Sequence, residues 1–344
     1  MPTRLVLIGA GAIGRTHLRA ASETSEVTIV GVADPNPAAQ ALAAEFGATW
    51  QPDYRTLLDS ARPDGAIVAT PNALHVPIAL DCIARGVAVQ VEKPIADTLD
   101  QARRLSEAAA SARIPVLVGH HRRHNPIIRR ARELVRGGAL GRLVSGSVLS
   151  LFLKSPSYFD IPWRRMPDGG GPVLINMIHE IDLIRYVCGE IVRVQAVTSN
   201  AVRGFAVEDT AAVILTLENG ALVTVTLSDT AASPWSWDLS AGESLSLFNA
   251  GADSHFLAGT EGALTLPSLT HWRYPSLKGW EHELAHETIP ITRANPYANQ
   301  LRHFAAVIRG KEQPITSGPD GARTLAATLA VQRAAQSGTS EDLA

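Results

Sequence analysis

Apolar residues in the first 120 positions come as short solid runs separated by amphipathic stretches. Leu5–Ile8, Thr28–Ala33, Ala66–Ala69, Val87–Val91 and Val116–Val118 have the length and β-branched content of buried strands. Between them, apolar positions recur at helical spacing over Ile13–Ser22, Pro37–Phe46, Tyr54–Ser60, Val76–Arg85 and Leu99–Arg113. Gly47 and Gly86 stand where helices commonly stop. Strands alternating with helices imply parallel pairing through right-handed crossovers, an α/β doubly wound sheet.

After His124 the pattern changes. Asn125 caps a basic helix over Ile127–Arg136, Arg142–Phe152 alternates as a strand, and Lys154–Gly171 reads as an irregular loop. Pro172–Cys188 reads as one helix. Strands dominate from Ile191. Thr210–Leu217 and Leu222–Leu227 flank Glu218-Asn219-Gly220, which predicts a type I′ hairpin, and Ser254–Ala258 and Ala263–Leu266 flank another glycine turn. Helices over Tyr297–Arg309 and Gly321–Gln336 close the chain. The expected organisation is a doubly wound domain over residues 1–123 and an α+β domain over 124–344 built on a mostly antiparallel sheet.

The 344 residues suffice for two cores. Lys and Arg total 31 against 33 Asp and Glu, a net charge of −2, so nothing in the balance gathers nucleic acid or an anionic membrane. Two cysteines, Cys82 and Cys188, exclude a disulfide framework and read as buried thiols of a reducing compartment. Arg4 precedes an apolar run like that of a leader peptide, but Gly9, Gly11 and Gly14 interrupt it, and no stretch approaches transmembrane length. The expected location is the cytoplasm.

Those glycines carry the first chemical signal. Gly9-Ala10-Gly11-Ala12-Ile13-Gly14 follows a strand and opens a helix. In such a turn the first glycine permits the bend, the second admits a pyrophosphate to the backbone, and the third lets helix pack on strand. Gly9, Gly11, Ala12, Ile13 and Gly14 are therefore the expected dinucleotide contacts, with the phosphates at the helix N-terminus. Asp34 ends the next strand about 20 residues past the third glycine, where a carboxylate binds the ribose hydroxyls. Since it repels a 2′-phosphate, NAD is expected over NADP. Thr70, Asn72 and His75, at the next strand end, are further candidates for cofactor contact.

Val89-Gln90-Val91-Glu92-Lys93-Pro94 ends a buried strand in an acid, a base and a proline that forces a turn. Ligands of parallel sheets bind at this carboxyl edge, so Lys93 is expected to face a crevice. Alcohol oxidation requires a proton acceptor and a group that stabilises alkoxide character. A partly desolvated lysine suits the second task or a proton relay. On the Pro172–Cys188 helix, Asn176, His179 and Asp182 are spaced three apart. His179 is the best acid/base candidate, with Asn176 or Asp182 to orient it. Trp163 and Arg164 in the preceding loop have the chemistry to stack on a sugar and bind hydroxyls or a carboxylate. The run His120-His121-Arg122-Arg123-His124 has no acidic or cysteine partner at metal-ligand spacing, so no metal is expected.

In order and spacing these motifs resemble the Gfo/Idh/MocA family (glucose–fructose oxidoreductase, inositol dehydrogenase), and the resemblance runs down to Asn295-Pro296-Tyr297 and the last helix. It implies a Rossmann domain, an open-sheet C-terminal domain, NAD(P)-dependent redox chemistry on sugars, polyols or cyclitols, and homodimers or homotetramers formed through the sheet. It implies that Lys93 and His179 are the catalytic pair and that Glu92 and Lys93 border the cofactor. His121, Arg123, Trp163, Arg164, Asn176 and His179 would surround the substrate, with Arg123 also bridging the domains. Many family dehydrogenases carry an aspartate four residues before the histidine; here that position is Ile175. The alternative to an enzyme is an NAD-binding sensor of the same fold without turnover.

Overall fold

The computed structural model describes residues 1–167, 169–244 and 247–343. They form two compact units, one of Met1–His124 with Ala294–Leu325, the other of Asn125–Arg293 with the residues from Ala326 onward.

The first unit is built on six parallel strands: β1 (Thr3–Ile8), β2 (Val27–Ala33), β3 (Thr49–Gln51), β4 (Gly65–Val68), β5 (Ala88–Val91) and β6 (Val116–Val118). Their order is β3-β2-β1-β4-β5-β6, the doubly wound arrangement. Leu5, Leu7, Ile67, Val89 and Leu117 are fully buried, as solid apolar runs covered on both faces should be. β3, three residues long and partly exposed, had no signal of its own; only its pairing of Val32 with Trp50 makes it a strand.

The helix Pro296–Ile308 belongs to this unit. Asn295 caps it, its side-chain oxygen accepting from the Tyr297 N–H at 3.0 Å. Leu301 and Phe304 are fully buried in the same core as Leu5 and Ile67, each burial stabilising by ~1.5–3 kcal/mol. Space for them is left by Gly65, where an added Cβ would come within 3.0 Å of the Phe304 ring. The sequence expectation placed everything after residue 123 in the second domain. Helical periodicity shows that a segment has an apolar face, but not which sheet receives it.

The second unit carries, among the described residues, a nine-stranded sheet: β7 (Leu143–Leu151), β8 (Ile191–Ser199), β9 (Thr210–Leu217), β10 (Leu222–Ser228), β11 (His255–Gly259), β12 (Gly262–Leu266), β13 (Thr270–Arg273), β14 (Ala285–Thr288) and β15 (Glu341–Asp342). The order is β14-β13-β12-β11-β7-β10-β9-β8-β15, antiparallel except between β7 and β10. The hairpin between β9 and β10 is not type I′: Gly220 alone of its turn residues has positive φ, +84°. The Asn219 side chain explains the choice, accepting from the Ala221 N–H at 3.1 Å and donating to the Cys188 carbonyl at 3.0 Å. The result is a three-residue loop ending in a left-handed glycine.

A second departure lies in the expected Pro172–Cys188 helix. Val173–Met177 is a π-helical turn, and α-geometry runs only from Ile178 to Val187. Such single-turn widenings are frequent at functional sites. Periodicity does not encode them, because one extra residue in a turn leaves the apolar pattern nearly intact. Both cysteines are free and buried, and burial pushes each thiol up to about 12. Among the described residues, no helix is long and apolar enough to cross a membrane.

Candidate functional site

In the first unit the motif residues gather on one edge. β1 lies between β2 and β4, with β5 next, so the turns after these strands bring Gly9–Gly14, Asp34, Thr70, Asn72 and Lys93 to the same carboxyl end of the sheet. Gly9 has φ +99°, and a Cβ there would meet the Ala69 carbonyl at 2.5 Å. At Gly14 a Cβ would sit 2.1 Å from the Gly9 carbonyl oxygen, so the helix Ala12–Ser22 packs against its own entry turn. Nothing lies within 4 Å of a Cβ at Gly11. The middle glycine thus opens onto space while its neighbours are closely packed, a cradle that a side chain would fill and a phosphate fits. Ala12 and Ile13 form the first turn of that helix.

Asp34 buttresses the cradle. One carboxylate oxygen accepts from the Ala10 N–H at 2.7 Å, the other from the Asn36 N–H at 2.8 Å. Thr70 Oγ1 is sealed from solvent, with no hydrogen-bond partner among the described residues. Asn72 opens the short turn Asn72–Leu74. His75, expected at the cofactor, is 1 % exposed and faces inward. Its Nδ1 lies 2.8 Å from the Pro94 carbonyl and its Nε2 3.0 Å from that of Thr70. It therefore ties the turn after β4 to the turn after β5. Burial outweighs those carbonyls and the charge of Glu92, and lowers the His75 pKa.

Glu92 is buried, with Oε1 2.7 Å from His17 Nε2, so it is held inside the fold next to Lys93. Burial alone would raise its carboxyl, but the His17 bond and charge, with His121 and Lys93, hold it below its usual range. Its other oxygen accepts from the Lys93 N–H at 3.3 Å. A Cβ at Gly119 would clash with Glu92 at 2.8 Å, so the end of β6 is shaped around the acid. The Lys93 side chain, unlike those on either side of it, is partly exposed.

The His121 ring is buried and stacks on Tyr297 at 4.2 Å, and His17 meets the same ring edge-on at 5.5 Å. Arg123, with a side chain 4 % exposed, pairs with Asp320 and donates to the Ile315 carbonyl at 3.1 Å. These partners belong to the first unit; a structural role for Arg123 was implied by the resemblance, whereas the packing of His121 on Tyr297 was not foreseen.

In the second unit His179 stands at the start of the helix Ile178–Val187, 9 % exposed, and Asp182 is buried one turn on. Asn176 lies in the π turn, so the even three-residue spacing expected for the trio holds only between His179 and Asp182. Leu174, Ile175 and Asn176 are partly exposed while Pro172, Val173 and Met177 are buried. The turn thus presents one accessible strip just before the histidine. Glu208 supports the helix start: Oε1 accepts from the Val173 N–H at 2.9 Å, and a Cβ at Gly171 would lie 2.5 Å from that oxygen. Burial raises the Glu208 pKa. Trp163 is 47 % exposed in a short turn over Pro162–Arg165, and the Arg164 guanidinium lies 3.9 Å from the centre of the Tyr158 ring.

Sequence reasoning missed Lys154. Its Nζ donates to Asn176 Oδ1 at 2.7 Å and sits 3.4 Å from Asp229. The available signal was a lysine just past the end of β7, the same kind of position that singled out Lys93. Among the described residues, no group of three or more His, Cys, Asp or Glu side chains is placed to hold a metal.

Comparison with known proteins shows the family and the fold. Residues 3–120 match the model described as the oxidoreductase family, NAD-binding Rossmann fold, and residues 128–265 match the GFO/IDH/MocA C-terminal domain. The chain is 33% identical to the rhizopine catabolism protein MocA of Rhizobium meliloti over 190 residues, 54% of this chain and 57% of that protein. It is 26% identical to 1,5-anhydro-D-fructose reductase of Ensifer adhaerens, covering 98% of this chain and 97% of that protein. Inositol 2-dehydrogenase of Rhizobium meliloti is 25% identical, covering 97% of each. Among solved structures, the WlbA dehydrogenase of Bordetella pertussis, in complex with NADH and UDP-GlcNAcA, shares the fold with a TM-score of 0.82 at 22% identity, covering 100% of this chain and 99% of that one. With both domain models matched over most of its length and a glycine cradle shaped for a dinucleotide, the chain belongs to the GFO/IDH/MocA family of NAD-binding oxidoreductases.

Proposed function

We propose that the protein is an NAD-dependent dehydrogenase that oxidises a secondary alcohol of a sugar, sugar acid, polyol or inositol-like ring. The observation that carries this reading is the shared edge of the first sheet. There a partly exposed lysine, Lys93, follows β5 beside the strands whose turns form the glycine cradle and hold Asp34. NAD, when bound, supplies the hydride acceptor. The backbone of Gly9, Gly11, Ala12, Ile13 and Gly14 holds its phosphates, with Thr70 and Asn72 at the next turn. Asp34 binds the ribose hydroxyls and disfavours a 2′-phosphate, which selects NAD over NADP.

Lys93 donates a hydrogen bond to the reacting oxygen and stabilises its developing negative charge. His179 accepts the hydroxyl proton as general base, and Asp182, on the same helix, orients the imidazole. Trp163 and Arg164 contact the substrate from the exposed loop. Relatives named for 1,5-anhydro-D-fructose, inositol and D-apiose support this range of substrates. Val197, Ile214, Leu222 and Phe256 are exposed on one face of the second sheet, which supports association into a homodimer or homotetramer. The balanced charge and free thiols support a cytoplasmic location.

The test is NADH appearance at 340 nm across a panel of polyols, aldoses, sugar acids and cyclitols. Turnover on members of one class supports the dehydrogenase. NAD binding without turnover on any of them overturns it in favour of a cofactor-binding sensor, the reading that Ile175 in place of an aspartate favours.

A further inference from the structure

Lysine is a donor only, so its contact at 2.7 Å fixes the orientation of the Asn176 amide: oxygen toward Lys154, and the two N–H donors turned away from it. Asn176 lies on the accessible strip before His179. Lys154 is itself held in place, with a side chain 10 % exposed and Nζ 4.4 Å from the centre of the Tyr158 ring. The Arg164 guanidinium covers the same ring at 3.9 Å. The carboxylate of Asp229 is shared: Arg203 donates to its Oδ1 at 3.1 Å and to its backbone carbonyl at 2.6 Å, while Oδ2 pairs with Lys154. Asp229 lies 3.4 Å from Lys154, beyond the 2.7–2.9 Å or so of a strong charge-assisted hydrogen bond. This corner of the second unit therefore gathers two cations and an amide, Lys154, Arg164 and Asn176, with one Arg164 N–H taken by the Tyr158 carbonyl at 2.7 Å and the Asn176 N–H donors turned away from Lys154.

We propose that Lys154, with Asn176 and Arg164, forms a subsite for a carboxylate on the substrate, so that the alcohol oxidised is that of a sugar acid rather than a neutral sugar or cyclitol. This rests on the dehydrogenase reading above and narrows it. A carboxylate is acceptor-only and takes two or more N–H donors, whereas a hydroxyl requires an acceptor as well. Asn176, with its oxygen turned to Lys154, leads with its N–H donors. The charge on Lys154 is adjustable: burial pushes its pKa down to about 8, with Asp229 and Asp238 opposing and Arg164 adding to the shift. Glu208 also feels its charge, and the amine lies over the Tyr158 ring; burial raises the pKa values of Glu208 and Tyr158. Lys154 is protonated below about pH 8, so carboxylate preference should fall as pH rises through that value.

The experiment uses matched pairs, D-gluconate against D-glucitol and D-glucuronate against D-glucose, with the NAD-saturated protein and its Lys154→Met and Lys154→Arg variants. For the wild-type protein the ratio of kcat/KM, acid over neutral, is expected to exceed about tenfold and to shrink above pH 8. Lys154→Met should lower that ratio at least tenfold, mainly through the KM of the acid, while Lys154→Arg keeps it and confirms the fold. Equal use of acid and neutral partners by the wild-type protein, or an equal loss on both in Lys154→Met, overturns the subsite. If no pair turns over, the dehydrogenase reading fails separately, and calorimetry with D-gluconate decides the subsite. Binding by the wild-type protein that Lys154→Met abolishes supports it; no binding by the wild-type protein overturns it.

Discussion

Two lysines stand just past the ends of strands, one buried and one half-exposed, and the surroundings of each show how its region is made. Lys93 follows β5 in a setting built largely from main chain, a glycine cradle, strand-end turns and a carbonyl pair bridged by His75, with the Glu92–His17 pair beside it. Lys154 follows β7 in a setting built from side chains distant in sequence, with Asn176 22 residues on and Asp229 farther still. On the proposed reading the first region meets a cofactor whose phosphates and ribose do not vary, so glycine backbone and one acid suffice. The second must satisfy whatever substrate the protein takes, and there one side chain sets the preference. Cofactor binding should therefore fail through glycines and Asp34, and substrate choice through polar side chains of the second unit.

The largest effect that separates the regions is expected from His179→Asn. It should lower kcat by about 10²–10⁴-fold, the usual contribution of a general base, while NAD affinity by tryptophan quenching stays within about twofold. Asp34→Ala should do the reverse. It removes charge-assisted bonds of about 1.5–3 kcal/mol at the cradle, so NAD affinity should weaken roughly ten- to a hundredfold, with substrate ranking preserved. Gly14→Ala forces a Cβ against the Gly9 carbonyl. Overpacking of this kind costs about 1–3 kcal/mol, read as a lower midpoint in urea and poorer NAD binding. Gly171→Ala, at φ +82° beside Glu208, should cost about 1–2 kcal/mol and impair kcat without changing NAD affinity, because it disturbs the start of the His179 helix. Smallest should be Trp163→Ala: an exposed ring lost from the substrate loop, a rise in KM of a fewfold, and a midpoint within about 0.5 kcal/mol of the parent.

The same contrast governs how much could be read before the structure. The doubly wound sheet was legible because its strands are solid apolar runs and its helices end at glycines. The cradle was legible because its chemistry lies in three glycines and one acid at fixed spacing. What escaped depends on pairing across distance. β3 and β13–β15 are two to four residues long and become strands only by their neighbours. The helix Pro296–Ile308 was visible, but not its attachment to the first unit. The π turn hid because one added residue scarcely alters hydrophobic spacing. His75 read as a cofactor ligand because sequence shows a histidine at a strand end but not the two carbonyls that occupy it. Lys154 was missed for the converse reason: its place past the end of β7 was visible, but its meaning comes from Asn176 and Asp229, and no local pattern links them.

The central claim is that Lys93 is the amine that stabilises the reacting oxygen, and single-turnover NADH formation by Lys93→Met tests it most directly. With NAD bound as in the wild-type protein, this variant is expected to form NADH at least about 10²-fold more slowly on the best substrate of the panel. A rate equal to that of the wild-type protein at full NAD occupancy would contradict the account.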